Sequence, residues 1–208
     1  QAAYPSRPIR LVAPFPVGSP FDALARKYAE ALASLMKSPV VVDNKPGANG
    51  AIAATEVSRA NPDGYTLLIT VSDPLVATPA TTKVAYDPER DFLPISKIAT
   101  SAPLLVASSK CDGPLEALVA GAKVDTGSVC AFYGSFGEGS FPKLVFAAIN
   151  RQAHAAFRDV AYRGAAPALQ DLPGGQIGLP FTNVSPAAQL IAERRVRPVA
   201  IMAPARSP

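Results

Sequence analysis

The sequence predicts an α/β protein built as two lobes. Short apolar, β-branched runs alternate with segments of helical periodicity, the signature of βαβ units. The runs lack polar alternation, as strands of a parallel sheet do when both faces are covered. The alternation breaks off in an irregular stretch after residue 72 and restarts near residue 104, which reads as two cycles and not one continuous sheet. A length of 208 residues accommodates two small domains with a sizeable core. The boundary is expected near residues 99–103, giving a first lobe over 1–100 and a second over 101–208.

The first strand is Ile9–Ala13, closed by Pro14. A loop through Pro16, Gly18 and Pro20 follows, and Asp22 opens a helix by capping its first turn. Leu24, Tyr28, Leu32 and Leu35 recur at helical spacing and are expected to form the buried stripe. Pro39 to Val42 reads as a second strand buried on both faces. Lys45–Gly50 is a turn-rich loop leading to a helix over Ala51–Arg59. Asn61-Pro62-Asp63-Gly64 marks a turn, and Tyr65–Val71 is a third buried strand. The second cycle has strands at Leu104–Ala107, Val129–Phe132, Asp159–Tyr162, Ile177–Phe181 and Val196–Met202. Its helices are expected over Leu115–Ala122, Pro142–Asn150, Ala165–Leu172 and Pro186–Glu193.

Composition excludes several functions. Lys and Arg total 20 against 16 Asp and Glu, a mild and dispersed excess. The densest basic spot, Glu193-Arg194-Arg195-Val196-Arg197, has no interleaved aromatics and reads as a solvated helix end, so no nucleic acid is expected as partner. No run approaches the ~18 apolar residues of a membrane span, and no direct membrane insertion is expected. Cys111 and Cys130 lack metal-ligand spacing, and whether they pair stays open. The only histidine, His154, reads as solvent-facing, so neither a metal site nor a Ser-His-Asp triad can be assembled. Gly134-x-x-Gly137-x-Gly139 has the wrong order for a dinucleotide loop, and Gly-x-Ser-x-Gly is absent. No catalytic residue, metal or cofactor is expected. Gln1-Ala2-Ala3 looks like the stub of a cleaved signal peptide.

Three strand-to-helix loops carry what chemistry there is: 14–22, 134–141 and 162–165. Each is rich in Gly, Ser and Pro, and each ends at a helix start. There the unpaired N–H groups and the helix dipole attract anions without a cationic side chain. Such loops lie at the carboxyl ends of strands, where open α/β sheets bind ligands.

The residues also carry a resemblance. Tyr4-Pro5-x-x-Pro8-Ile9-Arg10-Leu11-Val12, Pro14-Phe15-Pro16, Val41-Val42-x-Asn44-x-Pro46-Gly47-Ala48-x-Gly50 and Pro62-Asp63-Gly64-Tyr65-Thr66-Leu67-Leu68 resemble, in order, the Bug family. Tyr162-Arg163-Gly164-Ala165-Ala166-Pro167-Ala168-Leu169-Gln170-Asp171-Leu172 and Gly174-Gly175-Gln176 fit the same family. These TctC-like proteins are extracytoplasmic solute receptors of tripartite tricarboxylate transporters. The resemblance implies a two-lobed, type II periplasmic-binding-protein-like fold and an exported, periplasmic protein. It implies capture of a small carboxylate (a dicarboxylate, an amino-acid carboxylate or an aromatic acid) in an interlobe cleft and delivery to a membrane permease. A sensory module of the same fold signalling to a kinase is the alternative. Carried onto this chain, the implied ligand contacts in the first lobe are Phe15, Pro16, Gly18, Ser19, Asp22, Ser72 and Asp73. Those in the second are Ser135, Phe136, Gly137, Ser140, Tyr162, Gly164, Ala165 and Phe181. Pro20 and Phe21 depart from the family's usual loop; one N–H donor is lost and an apolar wall gained, which suggests a ligand with a less polar body. Family members are longer, so the part that returns to the first lobe is expected to be missing here.

Overall fold

The computed structural model describes residues 4–204; residues 1–3, where the remnant of a signal peptide is expected, and 205–208 lie outside them. The chain forms two compact units, residues 1–94 and 95–208, with positions 93–101 exposed. Among the described residues no helix is long and apolar enough to cross a membrane.

Unit 1 is built on a parallel sheet of order β2-β1-β3, from β1 (Ile9–Ala13), β2 (Val40–Asn44) and β3 (Thr66–Leu68). β1 is central, and Ile9, Leu11, Val12 and Ala13 are all buried. β2 corrects the expectation of burial on both faces. It lies at the sheet edge, and Val41 is 55% exposed. Helix α1 (Pro20–Met36) also differs from its expected stripe. Its buried positions are Asp22, Ala25 and Ala29, while Leu35 stays 80% exposed. Small side chains let the helix approach Leu11, Ala13 and Ile69 closely, so the alanines take the core and the leucines flank it. Helix α2 (Ala51–Ser58) follows β2. The stretch after residue 72, expected to be irregular, contains a 3-10 turn (Asp73–Leu75) and a short helix, α3 (Ala77–Thr81). Buried Tyr86 fastens it by donating to the Pro74 carbonyl.

Unit 2 has a mixed five-stranded sheet of order β6-β5-β7-β4-β8. Its strands are β4 (Leu104–Ser108), β5 (Phe132–Ser135), β6 (Arg158–Ala161), β7 (Leu179–Thr182) and β8 (Val196–Ile201). β6, β5 and β7 run parallel, as βαβ units require. β4 is inserted antiparallel between β7 and β8. One face is covered by α4 (Leu115–Val124) and α5 (Phe141–Ala153), around Phe146, Tyr133, Leu179 and Phe181. The other is covered by α6 (Ala165–Asp171) and α7 (Val184–Ala192), around Leu104, Val106, Ala168, Leu172 and Ala187. The expected strand at Val129–Phe132 begins only at Phe132. Val129–Ala131 is a 3-10 turn whose Cys130 N–H bonds to Ser128 Oγ. Two constraints pull it out of extended form: Cys130 is disulfide-bonded to Cys111, with Cα atoms 5.5 Å apart, and its backbone crosses Gly178 so closely that a Cβ there would meet Val129 O at 2.4 Å.

Two outcomes follow from these contacts. The disulfide closes a loop with a sequence separation of 19, which in the chain-entropy account is worth about 3 kcal/mol. Replacing both cysteines by alanine should lower the denaturant stability of unit 2 by about that amount, and reductant should act on the native chain only. Gly50, at φ +87°, is pressed between Pro74 and Pro14, and a Cβ would meet Pro74 Cγ at 2.3 Å. Gly50→Ala should therefore destabilise unit 1 by about 2 kcal/mol in urea melts.

Candidate functional site

In each unit the loops singled out by sequence gather at the carboxyl ends of parallel strands. In unit 1, Phe15, Pro16, Gly18, Ser19 and Asp22 follow β1, and Ser72 and Asp73 follow its neighbour β3. Ser19 caps α1, its Oγ accepting the Asp22 N–H at 3.2 Å. Asp22 is 2% exposed, and both its oxygens are engaged within the loop. Oδ2 accepts from Gly18 N–H at 2.9 Å and Arg26 Nε at 3.0 Å, and Oδ1 accepts from Asn44 Nδ2 at 2.8 Å. Asn44 also donates to the Phe15 carbonyl at 3.0 Å. Burial works against the Asp22 charge, but hydrogen bonds from Arg26, then Gly18 and Asn44, hold its carboxyl below the ordinary value. Phe15 and Phe21 stack with centroids 4.9 Å apart, an apolar wall over this loop.

The unit 2 edge is shaped by buried hydroxyls, and beside them Lys143, in the first turn of α5, is ion-paired with Glu138 of the loop and Asp159 of β6. Ser135 Oγ accepts the Gly137 N–H at 3.2 Å. Ser140 Oγ accepts the Phe136 N–H at 3.2 Å and donates to the Gly137 carbonyl at 2.7 Å. Both serines are fully buried, so they and these two amides shape the loop. Beside it, the Tyr162 N–H donates to the Ser135 carbonyl at 2.8 Å. The Tyr162 phenol donates to Asp171 at 2.9 Å and is pushed up to about 12 by burial and then by that carboxylate. Gly164, at φ +135°, and Ala165 form the turn into α6. Phe181 points into the core, edge-on to Phe141 at 5.1 Å.

Three helices begin along this edge, and none carries a side-chain cap: α5 after Ser140, α6 after Gly164 and α7 after Asn183. Prolines stand in their first turns (Pro142, Pro167, Pro186), as Pro20 does in α1. Register brings the loops that lead to these starts to one edge: Tyr133 pairs with both Asp159 and Leu179, in parallel strands that end together. Uncapped N–H groups at the starts of α6 and α7 suit an anion.

Two residues escaped the sequence reading. Asn44 ends an apolar run opposite Ala13, and a polar residue at that place was the available signal. Thr182 is 5% exposed and its hydroxyl has no hydrogen-bond partner; no sequence signal marks it. His154 caps the far end of α5, exposed at φ 52°. An open recess of about 320 Å³ on unit 1, lined by Pro8, Ile9, Arg10, Val41, Val42 and Asp43, includes none of the expected contacts.

A family model described as tripartite tricarboxylate transporter family receptor matches residues 24–208. A UPF0065 protein of Bordetella bronchiseptica is 36% identical over 206 residues, covering 98% of this chain and 60% of that protein. The chain thus spans about three fifths of that relative's length. MatC from Rhodopseudomonas palustris, solved with bound malate, matches with a TM-score of 0.85 at 29% identity, over 98% of this chain and 69% of its own. Rpa4515 from the same species, solved with adipate, matches with a TM-score of 0.84 at 32% identity, over 98% and 68%. With its motifs, its mixed α/β sheets and nearly its whole length accounted for, the chain belongs to the tripartite tricarboxylate transporter receptor family, the solute-binding TctC-like Bug proteins that its sequence resembles.

Proposed function

We propose that the protein is a periplasmic receptor that captures a small organic acid and delivers it to the permease of a tripartite tricarboxylate transporter. The observation that carries the reading is the pair of uncapped helix starts, those of α6 and α7, at one edge of unit 2's sheet. Such an edge stabilises a carboxylate through main-chain N–H groups and the helix dipole. Carboxylate-bound neighbours of the same fold, one with malate and one with adipate, support the ligand class. The disulfide supports export, since such bonds persist in oxidising compartments. Capture is reversible binding and takes no covalent step.

Within that class, the Phe15–Phe21 stack favours an acid with a less polar body than malate. In unit 1 the ligand's partners are main-chain groups of the Phe15–Ser19 loop and Ser72. Asp22 holds that loop in shape from beneath, through Gly18 and Asn44.

Two measurements test this. Titration calorimetry of the 208-residue chain with malate, adipate and benzoate should give tighter binding of adipate or benzoate than of malate, by about fivefold, or about 1 kcal/mol. A preference for malate overturns the ligand body inferred from the stack, and binding of none of the three overturns the receptor reading. Asp22→Ala should weaken binding and remove about 2 kcal/mol from unit 1, by leaving the Gly18 N–H and one hydrogen of the half-buried Asn44 amide unpaired. Because its folded pKa is depressed, the wild-type contribution is complete above the unfolded value near 3.8 and is lost as pH falls through the lower folded value. The stability difference between wild type and variant should shrink in that acid range and nowhere above it.

A further inference from the structure

Seven polar or charged side chains are buried among the described residues: Asp22, Ser38, Thr78, Ser108, Ser135, Ser140 and Thr182. Six have partners. Ser38 donates to Arg7, Thr78 accepts from Asn49, Ser108 accepts from the Lys110 N–H, and the bonds of the other three are given above. Thr182 Oγ1 has none; among the described residues Thr70 Oγ1 is likewise buried without a partner, but on a residue that is only half-buried. Buried hydroxyls are normally satisfied, so one that is not asks for a partner.

Its direction follows from the strand. Along β7, Leu179 and Phe181 enter the core under α4 and α5, so Pro180 and Thr182 face the other way. The pairing agrees: Thr182 stands opposite Leu104, which belongs to the core under α6 and α7. Thr182 is also the last residue of β7, two positions before α7 begins. The hydroxyl therefore points to the helix-covered side, at the edge where α7 presents its first turn. That turn lacks its usual cap. The side chain of Asn183, in the capping position, makes no capping bond, and its Oδ1 accepts instead from Ser101 Oγ at 2.8 Å. Pro186 carries no N–H, which leaves the Val184 and Ser185 amides as the first-turn donors.

We propose that the Thr182 hydroxyl and the uncapped start of α7 together form a further carboxylate-docking point of unit 2, taking one oxygen of the bound acid. This rests on the receptor reading above, which already includes the start of α7, and adds the Thr182 hydroxyl to it. The hydroxyl donates to the carboxylate while the first-turn amides and the helix dipole stabilise its charge, a charge-assisted arrangement stronger than a neutral pair. A direct bond and one relayed by a single water are lost alike when the hydroxyl is removed. The ligand class is an acid whose carboxylate is presented end-on to a helix start.

The test uses the 208-residue chain and two near-isosteric variants, Thr182→Val and Thr182→Ser, titrated with adipate, malate and benzoate and melted without ligand. Thr182→Val should bind the acid preferred by the wild type about tenfold more weakly. Its ligand-free melting temperature should match or exceed that of the wild type, because a buried hydroxyl without a partner is replaced by a methyl. Thr182→Ser keeps the donor and should retain affinity within about threefold. Wild-type affinity in Thr182→Val overturns the proposal and leaves the receptor reading standing. Weaker binding coupled to a lowered melting temperature also overturns it, since the hydroxyl then supports the fold. Failure of the wild type to bind any of the three acids overturns both.

Discussion

A helix that follows a parallel strand starts with amide hydrogens that its own turns cannot bond, and everything distinctive in this molecule depends on where those hydrogens are left. In unit 2 the parallel run β6-β5-β7 brings such starts to one edge, and those of α6 and α7 are not closed by a capping side chain. A cationic side chain would grip an acid more strongly but would also have to be desolvated or paired while empty. Fixed backbone dipoles carry no such burden and hold their orientation in the free protein.

Holding the intervening loops rigid is a separate problem, and the two units solve it differently. Unit 1 uses one buried carboxylate, Asp22, to tie Gly18, Arg26 and Asn44 into a single hub. Unit 2 uses two buried hydroxyls, Ser135 and Ser140, to fix the amides of Phe136 and Gly137. The first device titrates and the second does not. In both, side chains that look like ligand contacts in the sequence have their hydrogen-bonding capacity turned inward.

That distinction marks how far the sequence could be read. β1, α5 and α6 were legible because apolar periodicity and turn residues agreed locally, and the loops were legible because Gly, Ser and Pro cluster before helix starts. What escaped depends on distant partners. The edge position of β2 is invisible in Val40–Val42, whose run looks like a central strand. The turn at Val129–Ala131 is imposed by Gly178 and Cys111, far along the chain. The antiparallel insertion of β4 leaves no periodic trace. Whether a serine faces a ligand or its own loop, and that Thr182 lacks a partner, are facts of geometry alone.

The prolines in the first turns of α1, α5, α6 and α7 have a consequence for how such a protein changes over time. A main-chain hydrogen cannot be mutated away by altering a side chain; only an imino acid deletes it. Pro20, Pro142, Pro167 and Pro186 therefore act as the editors of valence at their helix starts, each striking one hydrogen from the count. Replacing one would add a bonding direction rather than subtract one, so the number of main-chain donors at these helix starts can rise as readily as it can fall.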